Sequence, residues 1–176
     1  MIINKSICSY SDSIASWSES RLGTQVGNGE CWTLANEALN AVGANCTSRG
    51  LEPCMPSQSL IHGYEIYSFI PAALPHNTPP GSVLEAGVAR GDVIQILKAV
   101  FKSQDGMRTQ FAGDPDHTAV VTEVESDGRL KVVQSNVGGS KNVTNGEYDM
   151  SEMVSGEFRI FRVVSQSWIG RLDSTW

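Results

Sequence analysis

The sequence predicts an α+β domain in which N-terminal helices pack on one face of an antiparallel sheet. Apolar residues recur at helical spacing in two segments before residue 43, and the main β-branched runs stand after residue 90 with turn signals between them. Size agrees: 176 residues, 40% hydrophobic and 18% charged, suit a single domain with a real core. We expect one unit over residues 1–176, with its core at about 23–164.

The first helical segment, about 9–22, carries Tyr10, Ile14, Trp17 and Leu22 behind serine and aspartate capping candidates, and Gly23 ends it. The second opens on the loop Gly27-Asn28-Gly29 and runs through Leu34, Ala35, Ala38, Leu39 and Val42 to a stop at Gly43. Residues 44–90 hold every proline but Pro115, so this stretch reads as irregular with one short strand near 64–70. After Gly91-Asp92 a buried strand is predicted over 93–101, then a polar loop over 103–116. His117 opens the next strand, Asp127-Gly128 reads as a two-residue turn, 129–136 as its return strand, and 158–164 as a fourth.

A net charge of −6, with lysines and arginines scattered, excludes a nucleic-acid footprint and disfavours anionic membranes. No apolar run approaches the roughly 20 residues that span a bilayer, and residues 1–20 lack a signal-peptide core. The expectation is a cytosolic chain, or one exported by a signal-less route. Cys8, Cys31, Cys46 and Cys54 form no C-x-x-C pair and the three histidines are far apart, so no metal and no cofactor is assigned. Asp114 and Asp116 could ligate calcium, but read as a solvated loop. Cys46 and Cys54 could close a small disulfide loop in an oxidising compartment.

Cys31 lies in the first turn of the second helix, where unpaired N–H groups and the positive dipole end lower a thiol pKa and support an oxyanion. A two-residue turn at 127–128 would set Ser126 opposite Arg129, hence Val121 opposite Gln134 and Ala119 opposite Asn136. His117, Gln134 and Asn136 then share one sheet face, with Asn136 diagonal to His117 and Gln134 one pair further away. A thiol, an imidazole and an orienting amide are the parts of covalent catalysis. Trp32 reads as core, and His62 and His76 as histidines without partners.

Gly29-Glu30-Cys31-Trp32, Gly91-Asp92-Val93-Ile94-Gln95, His117-Thr-Ala-Val-Val and Val133-Gln134-Ser135-Asn136 follow one another as in papain-like cysteine hydrolases of the CHAP type (cysteine, histidine-dependent amidohydrolase or peptidase). Within that group the chain resembles the cysteine-proteinase-fold domain that ends certain fungal actin-patch proteins. The resemblance implies a papain-like fold, Cys31 as nucleophile and His117 as base. Asn136 matches the asparagine of the E-x-N pattern on the strand after the histidine. Gln134 stands where that pattern usually has glutamate, so it can orient an imidazole but supplies no charge. Gln25 precedes Cys31 by six residues, as the oxyanion-hole glutamine precedes the cysteine in papain. The implied activity is thiol-dependent hydrolysis of an amide or peptide bond. Peptide or protein substrates would be its partners, peptidoglycan peptides among them, and a lytic effector or toxin would also have an inhibitor or immunity protein. A protein deamidase would use the same residues, and a papain-fold interaction module would use none of them.

Overall fold

The computed structural model describes residues 5–43, 60, 62–73, 75 and 79–164, with side chains described from residue 10 onward. Cys46, Cys54 and His76 lie outside the described residues. The elements are α1 (Lys5–Glu19), α2 (Cys31–Ala41), β1 (Tyr64–Phe69), β2 (Val93–Lys102), β3 (Thr109–Val124), β4 (Leu130–Gln134), β5 (Thr144–Tyr148) and β6 (Met153–Arg162). The six strands form one antiparallel sheet in the order β1-β6-β2-β3-β4-β5. Strands β2 to β5 are a meander, and β6 returns to pair with both β1 and β2.

Strand alternation sorts the core onto two faces. Val93, Val120 and Val133 face Ile14 of α1 and Leu34, Ala35, Ala38 and Leu39 of α2, so both helices cover one side of the sheet. Ile94, Ile96, Ala119, Val121 and Val132 face the other way, into a core with Phe101, Tyr148 and Phe158 that is closed by Val83, Val88 and Met150. No helix among the described residues is long and apolar enough to cross a membrane.

α1 starts earlier than predicted, at Lys5, which puts Asp12 inside the helix rather than at a cap. There Asp12 pairs with Arg90, whose guanidinium also binds Glu19, the Ser16 hydroxyl and the Thr122 carbonyl of β3. One arginine thus staples α1 to the sheet. Gly91 is required by the same contact: its φ is +89°, and a Cβ there would stand 1.8 Å from the Ser11 carbonyl oxygen. Its neighbour Asp92, fully buried, accepts from Arg162 Nε at 2.9 Å and Nη2 at 2.7 Å and from the Ala89 N–H at 2.8 Å.

Three strands also differ from expectation. β3 begins at Thr109, inside the segment read as polar loop, because Lys102↔Thr109 to Ala99↔Ala112 pair it to β2 despite its polar sequence. β5 was not foreseen: Thr-Asn-Gly-Glu-Tyr has no apolar alternation, and as an edge strand it needs only one hydrogen-bonded neighbour. β6 starts at Met153, five residues before the predicted strand.

Candidate active site

The β3–β4 hairpin decides which amide meets His117, and its register is not the predicted one. The Glu125 N–H donates to the Arg129 carbonyl and the Gly128 N–H to the Glu125 carbonyl, with Gly128 at φ +88°. The connection is therefore three residues long, which moves the pairing by one. A bulge between Val121 and Glu123 moves it by one more, so Val121 faces Val132 and Ala119 faces Gln134. A slip of two keeps every side chain on its face, where a slip of one would have reversed them all. Gln134 consequently takes the place diagonal to His117 that was expected of Asn136.

The side chains follow. His117 Nε2 lies 2.8 Å from Gln134 Oε1. A carbonyl oxygen only accepts, so Nε2 carries the proton and the neutral ring keeps Nδ1 as its basic nitrogen. Burial pushes the His117 pKa down, against the opposing effects of the Gln134 bond and the Asp116 charge.

Asn136 bonds to other groups than His117. It follows the end of β4 in a left-handed conformation, φ +61°, and its Nδ2 donates to Glu30 Oε2 at 2.6 Å. Lys141 Nζ donates to Asn136 Oδ1 at 3.0 Å and pairs with the other oxygen of Glu30. Ser135 Oγ donates to the Glu30 carbonyl at 3.1 Å. This cluster clasps the chain after β4 to the residue that N-caps α2. We expect Gln134→Ala to lower any His117-dependent rate by roughly 10- to 100-fold and Asn136→Ala to do less, compared by kcat/KM.

Cys31 is the first residue of α2 and is 7% exposed. Its sulfur is approached by the Thr118 N–H and hydroxyl and by the Trp32 N–H, but burial outweighs them and pushes the thiol pKa up. The expected low-pKa thiolate is therefore corrected: desolvation overrides the helix terminus, and the resting pair is thiol and neutral imidazole. Gln25, expected as an oxyanion donor, gives its amide N–H to the Gly27 carbonyl of its own loop at 3.0 Å.

A second buried polar chain was missed. His62 is fully buried, not partnerless: its Nε2 is 2.9 Å from Gln95 Oε1, which also accepts from Thr118 Oγ1 at 2.9 Å. A lone glutamine within Val-Ile-Gln-Ile-Leu was the available signal, since a polar side chain in a central strand needs a partner. Thr118 joins this chain to the thiol. Thr118→Val should slow alkylation of Cys31 at a fixed pH by roughly 2- to 10-fold, as expected for one hydrogen bond of about 0.5–1.5 kcal/mol, measured by mass spectrometry of the labelled peptide.

The domain model for the AIM3/BBC1 cysteine proteinase-fold domain matches residues 4–173. Altered inheritance of mitochondria protein 3 of Debaryomyces hansenii is 30% identical over 167 residues, covering 93% of this chain. The SH3 domain-containing protein C23A1.17 of Schizosaccharomyces pombe is 28% identical over 167 residues, covering 92%. The chain spans only 17% and 9% of these two relatives. Among solved structures, that of Ly7917 matches with a TM-score of 0.43 and 16% identity, over 87% of this chain and 62% of its own. On the family match across nearly its whole length, this chain belongs to the AIM3/BBC1 cysteine proteinase-fold domain family.

Proposed function

We propose that the domain is a thiol-dependent hydrolase of amide or peptide bonds, with Cys31 as nucleophile, His117 as base and Gln134 as the group that fixes the imidazole. The observation that carries this reading is the His117 Nε2 to Gln134 Oε1 bond at 2.8 Å, which leaves Nδ1 as the basic nitrogen on the residue that precedes Thr118, whose N–H and hydroxyl approach the Cys31 sulfur. Because both groups rest neutral, Nδ1 takes the thiol proton as sulfur attacks the carbonyl carbon. The oxyanion is met by N–H groups at the α2 terminus, joined by Gln25 if its amide turns from Gly27. The imidazolium returns the proton to the leaving amine, and His117 then deprotonates the water that cleaves the thioester. Peptides of the bacterial cell wall and protein glutamine or asparagine amides are the two substrate classes.

The lowered pKa of His117 sets the pH profile. A depressed pKa keeps the base neutral below its ordinary titration range. The acid limb of kcat/KM should therefore fall below pH ~6.5, with no loss on the alkaline side until well above it.

A second reading, a protein-interaction module with Cys31 as a packed residue, is favoured by the thiol's burial and upward shift. Incubation with purified peptidoglycan and with protein substrates, followed by mass spectrometry of released peptide, amine or ammonia, separates the two. Release that needs Cys31 and His117 supports the hydrolase. Its absence from every substrate, with folded protein, favours the module.

A further inference from the structure

We propose that Tyr148 of β5 is a positioning residue that decides which nitrogen of His117 carries the proton. The proposal deepens the reading of His117 as base and rests on it for its catalytic meaning. Gln134 Oε1 accepts from two buried donors, His117 Nε2 and the Tyr148 hydroxyl, each at 2.8 Å. A glutamine amide can present either end. Turned over, Gln134 would donate to His117 Nε2, and the neutral ring would move its proton to Nδ1, where it can no longer accept one from a thiol.

Tyr148 opposes that reversal. Its ring is held against Phe101 and Phe158, and Gln134 is its hydroxyl's partner, so reversing the amide would leave a buried phenolic proton without an acceptor. Burial keeps this phenol protonated throughout the working range, so it always has that proton to donate. Gly146 makes the geometry possible. It lies opposite Val132 on the edge strand, and a Cβ there would stand 2.1 Å from Gln134 Nε2, so only glycine leaves room for the amide beside Tyr148 and His117.

The test is the two-bond ¹H–¹⁵N spectrum of the neutral imidazole in ¹⁵N-labelled protein, assigned with a His117 variant. The native protein should hold its proton on Nε2. In Tyr148→Phe, which removes one oxygen and adds no volume, the Nδ1–H form should become a major species. In Gln134→Glu with Tyr148→Phe, the Nε2–H form should return, because a carboxylate accepts at either end. An unchanged Nε2–H signal in Tyr148→Phe overturns the proposal, as does a shifted tautomer in the double variant. Should Tyr148→Phe fail to fold, Tyr148→Met, which also lacks the hydroxyl, decides: Nδ1–H supports the proposal, and retained Nε2–H overturns it. None of these readouts needs turnover. Tautomer control in a protein that hydrolyses nothing would sink the hydrolase reading alone.

Discussion

Cys31→Ala is expected to abolish turnover at a cost of about 1 kcal/mol of stability or less. The sulfur is nearly buried, but its removal leaves a void of one atom beside Thr118 and the start of α2, well short of the methylene clusters that make core truncations costly. Among the described side chains Cys31 is the one thiol, and no hydroxyl there matches its nucleophilicity. The two measurements are kcat/KM and the thermal midpoint. A midpoint lowered by more than about 4 °C with activity intact would identify Cys31 as a packing residue.

Arg162→Met is expected to cost about 3–5 kcal/mol at neutral pH, because it strands the Asp92 carboxylate in the core. Asp92 is fully buried and Arg162 nearly so, and the guanidinium also donates to the Gly87 carbonyl at 2.6 Å. Burial already pushes the Asp92 pKa up, with Arg162 opposing it, so the variant raises it further. A carboxyl whose folded pKa is raised destabilises above that value and is relieved as pH falls through it. The deficit should therefore shrink between neutral pH and the ordinary carboxylate range near ~4. Denaturant melts of the single variant at two pH values, and of Asp92→Asn with Arg162→Met at neutral pH, check this. The double variant should recover much of the loss, and equal deficits at both pH values would contradict the account.

What the sequence made legible was periodicity: the α2 stripe from Leu34 to Leu39, the apolar run of β2, and the hydrophobic alternation after His117 that put His117 and Gln134 on one face. These survive because burial is decided residue by residue. Register was not legible, since it depends on a three-residue loop and a bulge near Thr122 that leave no hydrophobic signature. That is why the sequence points to Asn136 as the amide beside His117 and the fold brings Gln134 there instead. The thiol's pKa failed for another reason: a helix terminus is visible in sequence, but the desolvation that overrides it comes from how strands and helix close together. The edge strand carrying Gly146 and Tyr148 was invisible because only one of its residues, Tyr148, is buried.

Gly91 bears on what the Gly-Asp signature reports. Its place in the Gly-Asp signature is dictated by a carbonyl of α1 pressing on its α-carbon, and the aspartate beside it is held by Arg162, so both serve the closure of the fold. A variant that exchanged Cys31 for serine or alanine would still need both to close the helix onto the sheet. Gly91 and Asp92 therefore report the architecture of this domain, whereas the proposed hydrolysis has to be tested on Cys31, His117 and Gln134.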